Sequence, residues 1–310
     1  DGFVSRGLGD VYKRQELSFE RLGCDRLDLL AIHGINLPEH LEQTLQPGGC
    51  MEVVRRWQAE GRIGHVGFST HGPTALIAQA CDSGAFDYVN LHWYYIRQDN
   101  GPALDAARRQ DMGVFIISPT DKGGHLHTPS QRLLELCAPL HPIVFNDLFC
   151  LQDPRVHTIS VGAARPEDLE LHLEALRLLP EAASLIAPVD QRLRQAADEA
   201  LGRDWMATWS VGLPPWHATP GEINLPVLLW LYNLLEAWDL ESYAKARYGL
   251  LGSGGHWFAG ANADGFDAEV SAEELQSVLQ ESPWRKRIPE ILRSLKQRLK
   301  GESQMRLSSV

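Results

Sequence analysis

The feature that most constrains the fold is an alternation, between residues 16 and 178, of short apolar runs with longer amphipathic segments. Each run has the length of a strand, and the segments between them have the apolar spacing of helices. The five runs are LDLLAI (27–32), IGHVGF (63–68), FDYVNL (86–91), GVFIIS (113–118) and VHTISV (156–161). This alternation is typical of repeated βα units, so it predicts a parallel sheet covered by helices.

Glycines close the three helical segments that lie between the first four runs. These segments end at Gly61, Gly84 and Gly113. Glycine adopts the left-handed conformation that often ends a helix without a steric cost. We therefore expect a positive φ angle at all three glycines.

The number of strands indicates part of a barrel. No G-x-G-x-x-G motif follows any of the runs, which favours a barrel over an open dinucleotide-binding sheet. A (β/α)8 barrel needs eight βα units in about 250 residues. We predict an α/β fold, a partial (β/α)8 TIM barrel with about five of the eight βα units, and we expect the other three units, about 90 residues, before Glu16.

Three segments divide the chain. Residues 1–15 lack apolar periodicity, and DVYKRQ (10–15) resembles a translated library adaptor, so we interpret them as an appended leader, with a natural flexible terminus as the alternative. Residues 16–180 form the predicted partial barrel. Residues 181–310 hold seven of the nine tryptophans and are predicted to be a mostly α-helical C-terminal region.

Charge and cysteine content exclude several classes of partner. The net charge of −11 argues against nucleic acid and anionic membranes. The most apolar run, PVLLWLYNLL (226–235), is shorter than the ~20 residues that span a bilayer. Five widely spaced cysteines fit reduced thiols in a cytoplasmic protein. His125 and His127 have no third ligand nearby in sequence, so we expect no metal site.

Polar residues stand at the predicted carboxyl ends of the first four strands, where parallel α/β folds place catalytic and binding groups. The alternative for each is that its side chain satisfies neighbouring backbone groups in a loop. These residues are His33, Ser69, Thr70, Asn90 and Ser118, and Gly162 follows the fifth strand.

Four segments, in order, resemble the aldo/keto reductase family. They are SFERLGCDRLDLLAIHG (18–34), GRIGHVGFST (61–70), FDYVNLHWYY (86–95) and VHTISVGAARPEDLELHL (156–173). The resemblance implies reduction of a small carbonyl substrate by hydride from NADP or NAD. It also implies a catalytic Asp, Tyr, Lys and His, of which only the histidine, His33, falls in this chain. We therefore expect the chain by itself to be inactive.

The resemblance also assigns cofactor contacts. Ser69 and Thr70 would bond the nicotinamide carboxamide, and Asn90 stands where the family usually has Gln. Ser118 follows Ile117, which replaces a stacking aromatic residue. Lys122, in the loop TDKGG (120–124), would meet the pyrophosphate.

The adenosine end of the cofactor would lie beyond the fifth strand. Gly162, Ala164 and Arg165 precede a predicted helix near Pro166 whose N-terminus suits an anionic group. Arg165 could meet a 2′-phosphate, and His172 stands where an Asn often contacts the adenine. Asp168 stands where NADP-preferring members often have Arg, so the preference between NADP and NAD stays open.

The C-terminal region resembles a ferredoxin-like extension found in a subgroup of these reductases. That extension carries a C-x-x-C-x-x-C-x-x-x-C-P motif, whereas the corresponding stretch, GLPPWHATPGEINLP (212–226), has no cysteine. Iron–sulfur ligation requires thiolates. We therefore expect a degenerate extension without an iron–sulfur cluster.

Two other functions remain open. A non-catalytic nucleotide-sensing or scaffold protein would be consistent with the missing cysteines and with Ile117. A lyase or hydrolase that uses His33 as a base would act without nicotinamide. The sequence leaves the substrate and the oligomeric state open.

Overall fold

The computed structural model describes residues 19–163, 165–253 and 258–301, so the predicted leader, residues 1–15, lies outside the described residues. The chain divides into two compact units. The first contains the described residues up to Pro119 together with Cys150–Gly162, and the second contains Thr120–Phe149 and the described residues from Ala163 onward.

Five parallel strands form the sheet of the first unit, and their spatial order is their order along the chain. The prediction of a parallel five-stranded sheet is confirmed, although the third, fourth and fifth strands are shorter than their apolar runs. The strands are β1 (Leu27–Ile32), β2 (Ile63–Ser69), β3 (Tyr88–Leu91), β4 (Gly113–Ile117) and β5 (Thr158–Ser160).

Helices connect the strands of the first unit as the alternating pattern predicts. Val54 and Trp57 of the second helix are fully buried, and they lie three residues apart on one face. The helices of this unit are α1 (Pro38–Leu45), α2 (Cys50–Ala59), α3 (Thr74–Asp82) and α4 (Gly101–Arg109).

The glycine prediction holds at two positions and is wrong at the third. Gly61 and Gly84 have φ angles of +74° and +67°. Gly113 instead begins β4, and its N–H donates to the Asp87 carbonyl at 2.9 Å. The left-handed residue after α4 is Asp111, with φ +54°. Aspartate is one of the few non-glycine residues that visit this conformation, so the turn does not need the glycine.

The core of the sheet is formed by its central strands. Phe68 of β2, Val89 of β3 and Val114 of β4 have no solvent exposure. By contrast, Leu29 of β1 is 47% exposed. β1 is an outer strand of this sheet, and its backbone pairs with β2 alone among the described strands.

The second unit is helical, as predicted for the C-terminal region; its described residues contain no strand, only isolated bridges. α11 begins after Asn224, whose side chain accepts from the Val227 N–H at 3.2 Å. The helices from Pro119 onward are α5 (Pro119–Lys122), α6 (Gln131–Cys137), α7 (Pro142–Leu151), α8 (Glu170–Leu178), α9 (Ala182–Leu201), α10 (Arg203–Thr208), α11 (Leu225–Trp238), α12 (Glu241–Tyr248), α13 (Ala272–Ser277) and α14 (Ile288–Leu299). The first residue of α5 and the last two residues of α7 belong to the first unit.

Across the described ranges no single helix combines the length and apolar composition needed to cross a membrane. The helices α6 and α7, bent by 54° relative to each other, pass that test only as a pair.

Candidate functional site

His33 is the first residue after β1, and it is exposed at the carboxyl end of that strand. Its Nδ1 lies 2.8 Å from Oγ of Ser69, the last residue of β2. The same Oγ accepts from the Gly34 N–H at 3.2 Å. The hydroxyl keeps its proton and a second lone pair for His33, so it can either donate to Nδ1 or accept from Nδ1–H.

The tautomer of the His33 ring depends on the direction of this contact. A neutral imidazole that accepts at Nδ1 carries its proton on Nε2. When the Ser69 hydroxyl donates, His33 presents an Nε2–H donor, the form that can hydrogen-bond a carbonyl oxygen. Ser69 is 9% exposed, so its hydroxyl holds the ring from a nearly buried position.

Thr70 and Asn90 lie beside this pair. The buried Thr70 hydroxyl donates to the Ile35 carbonyl at 2.7 Å and accepts from the Gly72 N–H at 2.9 Å, so it joins the loops after β1 and β2. Asn90 pairs with Ser69 in the sheet register, and its side chain is half-buried. The structure therefore brings the predicted residues His33, Ser69, Thr70 and Asn90 to one edge of the sheet.

Ser118, directly after β4, has a φ angle of +49°. Its N–H donates to the Ser160 carbonyl at 2.9 Å, which holds the end of β4 against β5. A left-handed conformation at a non-glycine residue stores strain, and such residues cluster at functional sites. Ser118 is half-buried at the same edge of the sheet as the preceding residues.

Two histidines and a tyrosine at this edge were not among the predicted site residues. His71 Nδ1 lies 2.6 Å from His92 Nε2, and His92 Nδ1 lies 2.7 Å from the Tyr94 hydroxyl. That hydroxyl donates to the Ile117 carbonyl at the end of β4. The sequence carries a signal for them, because each histidine stands two residues beyond a member of the register pair Ser69 and Asn90.

The remaining predicted contacts lie in the second unit, apart from Gly162, which is exposed after β5 in the first. Lys122 ends the four-residue helix α5, and its carbonyl accepts from the Tyr243 hydroxyl at 3.0 Å. Arg165 is exposed, and its guanidinium donates to Asp168 at 3.2 Å. Ala164 lies outside the described residues.

The expected helix near Pro166 begins as a 3-10 turn, Pro166–Leu169, that continues into α8. Asp168 accepts from the Arg165 N–H at 3.1 Å as well as from its guanidinium. The charge of Arg165 is therefore already matched by a neighbouring carboxylate. This pairing reduces the positive charge offered to a phosphate at this turn.

His172 is buried in α8, and its Nδ1 lies 2.5 Å from Oδ2 of Asp147 in α7. Burial raises the pKa of the Asp147 carboxyl, while its hydrogen bond with His172 acts in the opposite direction. Oδ1 of Asp147 and Nε2 of His172 are buried without a hydrogen-bond partner.

In the part of the chain that the structure describes, no group of three His, Cys, Asp or Glu side chains is arranged to hold a metal ion. The strand ends described above carry hydrogen-bond donors and proton-transfer groups, namely three hydroxyls, an amide, three histidines and a tyrosine.

Comparisons with known proteins identify the fold. No protein-family profile and no curated protein matches the sequence. The structure is similar to the holo form of the aldo-keto reductase AKR11C1 from Bacillus halodurans, with a TM-score of 0.50 and 16% identity over 60% of this chain. The chain covers 65% of that protein, less than two thirds of its length.

Two further structures give lower scores. The aldo-keto reductase from Klebsiella pneumoniae in complex with NADPH has a TM-score of 0.44 and 22% identity over 58% of this chain and 64% of its own. An aldo/keto reductase from Brucella melitensis has a TM-score of 0.43 and 15% identity over 59% of this chain and 68% of its own. The five parallel strands and their helices thus have the α/β fold of the aldo-keto reductase barrels, incomplete in this chain.

Proposed function

We propose that this chain comes from an NAD(P)H-dependent oxidoreductase of the aldo/keto reductase type, which reduces a carbonyl to an alcohol. The observation that carries the proposal is the 2.8 Å contact between the Ser69 hydroxyl and Nδ1 of His33. We assign the hydroxyl proton to this contact, which leaves an Nε2–H donor at the carboxyl end of β1. The barrel fold makes this edge of the sheet the place for chemistry.

His33 is proposed to contact the substrate. Its Nε2–H would donate to the carbonyl oxygen, orient the carbonyl and stabilise negative charge as it develops on that oxygen. Ser69 is then a positioning residue, because it acts on the substrate through the His33 ring. A nicotinamide, when bound, supplies the hydride.

Among the described residues at this edge of the sheet, the Asn90 side chain is the group best suited to bind a nicotinamide. The Asn90 side chain is half-buried next to Ser69, and its amide offers both a donor and an acceptor, as a carboxamide requires. The hydroxyls of Ser69 and Thr70 already hold other partners, so we assign the carboxamide contact first to Asn90. Lys122 and Arg165 stay proposed contacts for the phosphates.

We also propose that the 310-residue chain binds the cofactor without reducing a carbonyl. The family resemblance assigns the catalytic Asp, Tyr and Lys to segments that would precede residue 16. The described strand ends supply the histidine of that set, and cofactor binding can be tested without the other three groups.

The test is a titration of the chain with NADPH and with NADH, followed by nicotinamide fluorescence. We expect saturable binding that weakens about tenfold in Asn90→Ala, the loss of about one hydrogen bond. Gln43→Ala, which removes an exposed amide from α1, is the matched control and should bind as the wild type does. Absence of saturable binding for both nucleotides, or equal binding by Asn90→Ala, would refute the assignment.

A further inference from the structure

A continuous hydrogen-bonded chain joins His71, His92, Tyr94 and the carbonyl of Ile117. Nδ1 of His71 and Nε2 of His92 lie 2.6 Å apart, and the two ring centroids are 4.7 Å apart with an angle of 24° between the ring planes. His92 and Tyr94 are buried, with 2% and 0% exposure, whereas His71 is half-buried. Of the three side chains His71, His92 and Tyr94, only that of His71 is thus partly open to solvent.

The direction of each hydrogen bond follows from the last one. The single proton of the Tyr94 hydroxyl goes to the Ile117 carbonyl, so its oxygen accepts from Nδ1–H of His92. A neutral His92 then accepts at Nε2, and the donor to it is Nδ1–H of His71. Because Nδ1 of His71 is committed to His92, a proton taken up by His71 goes to its Nε2.

The hydrogen-bonded series of His71, His92 and Tyr94 lies at the same edge of the sheet as His33. Ile32 pairs with Phe68, and Ser69 pairs with Asn90, so the residues that follow β1, β2 and β3 emerge side by side. The backbone N–H of His71 also donates to Asn36 Oδ1 at 2.7 Å, which fixes the loop after β2 against the loop after β1. The donor His33 and the half-buried His71 therefore belong to one cluster of strand ends.

We propose that His71 is an acid–base residue that moves the α-proton of an aldehyde or ketone whose oxygen is held by His33. This inference rests on the carbonyl contact that the proposed function gives to His33, but it needs no nicotinamide. His92 and Tyr94 are positioning residues, because they act through the His71 ring.

The step balances without an oxidant or reductant. Nε2 of His71 removes a proton from the α-carbon, the C–H electron pair forms a carbon–carbon double bond, and the carbonyl π electrons move to the oxygen. Nε2–H of His33 donates to that oxygen. The positive charge gained by His71 is shared with His92 through their short hydrogen bond. Return of a proton from His71 to the α-carbon restores the ketone.

The test follows loss of the α-proton signal of hydroxyacetone in D2O by proton NMR, with the 310-residue chain and no nicotinamide present. Positioned acid–base groups contribute about 10²-fold or more, so we expect exchange at least about tenfold faster than in buffer. His71→Gln should return exchange to the buffer rate. His65→Gln, a change at an exposed histidine in the middle of β2, should leave it unchanged.

Exchange at the buffer rate with the wild type, or equal exchange by wild type and His71→Gln, would overturn the proposal. Because the sample holds no nicotinamide, such a result leaves the nucleotide titration unaffected, and a failed titration leaves this test unaffected. A second measurement needs no variant: ¹⁵N NMR of the neutral histidines should show Nδ1–H tautomers for both His71 and His92. An Nε2–H tautomer at His92 would contradict the relay even if His71→Gln failed to fold.

Discussion

The Ser69 hydroxyl oxygen lies 2.8 Å from Nδ1 of His33, and this bond fixes the orientation of an exposed ring from a nearly buried position. Ser69 is also the last residue of β2, so the sheet itself holds the hydroxyl in place.

Ser69→Ala should release the His33 ring. The Gly34 N–H keeps its bond to the Ser69 carbonyl at 3.1 Å, so the backbone stays satisfied and we expect a stability loss of about 1 kcal/mol. The ¹⁵N spectrum of His33 should change from one tautomer to a mixture. Ser83→Ala, which removes an exposed hydroxyl bonded to the Ala80 carbonyl, serves as the control and should leave the His33 spectrum as it is. An unchanged His33 tautomer in Ser69→Ala would show that the contact does not set it.

His172→Ala should destabilise the protein strongly. The change leaves the Asp147 carboxyl buried without its 2.5 Å partner, and removal of one member of a buried pair typically costs about 3–5 kcal/mol. Leu173→Ala alters the next residue of α8, whose side chain is 48% exposed, and should cost far less. Urea unfolding measures both, and similar losses for the two variants would contradict the expectation.

Asp147→Asn, unlike His172→Ala, should stabilise the protein at pH 7, by an amount that depends on pH. Because burial raises the folded-state pKa of Asp147, its ionised form destabilises the fold above that pKa, and protonation relieves the cost as the pH falls. Asparagine carries no charge and can still accept from His172. We therefore expect the variant to be more stable than the wild type at pH 7, with a difference that shrinks toward pH 4. A difference that grows as the pH falls would refute this assignment, and urea unfolding at both pH values decides it.

Asp111→Gly should stabilise the protein by about 1 kcal/mol, because glycine has no steric cost at a φ angle of +54°. Gly61→Ala tests the same steric cost in the opposite direction, because it adds a Cβ at a residue with a positive φ angle. A Cβ at Gly61 would meet nothing within 4 Å, so its expected cost of about 1–2 kcal/mol comes from the φ angle of +74° alone. Thermal unfolding of both variants provides the measurement, and a destabilised Asp111→Gly would show that the Asp111 side chain has another role.

Thiol reactivity should differ sharply among the five free cysteines. Burial raises the pKa of Cys81 and of Cys137 to about 12, and Cys150 is also fully buried. The thiolate is the reactive form, so at pH 8 we expect these three to react with a thiol reagent at least about tenfold more slowly than the half-buried Cys24. Mass spectrometry of the labelled peptides identifies the order, and urea should make all five reactive. Rapid labelling of Cys81 in the native protein would contradict the fold around α3.

The strands were predictable because a parallel sheet between helices leaves each strand as a short apolar run. All five runs coincide with observed strands, and their polar successors His33 and Ser69 meet at one edge. The partner of His33 was not predictable in the same way. Sequence spacing places Ser69 at the end of a neighbouring strand, but only the register between Ile32 and Phe68 brings its hydroxyl to Nδ1.

Three features escaped prediction for a physical reason. Asp111 replaces Gly113 as the left-handed residue because aspartate tolerates a conformation that sequence rules assign to glycine. The hydrogen bonds from His71 to His92 and from His92 to Tyr94 join residues that are 21 and two positions apart in sequence. No local pattern encodes the direction of those side chains. The burial of His172 against Asp147 likewise depends on how α7 packs with α8.

The sheet adds its strands in the order in which the chain runs. Each strand after the first therefore finds its neighbour already present in the preceding segment, so the sheet can grow vectorially as the polypeptide leaves the ribosome. No strand has to be inserted between two earlier ones. Assembly of the His33 and His71 cluster would then be complete once β4 joins the sheet and its last carbonyl, that of Ile117, receives the Tyr94 hydroxyl.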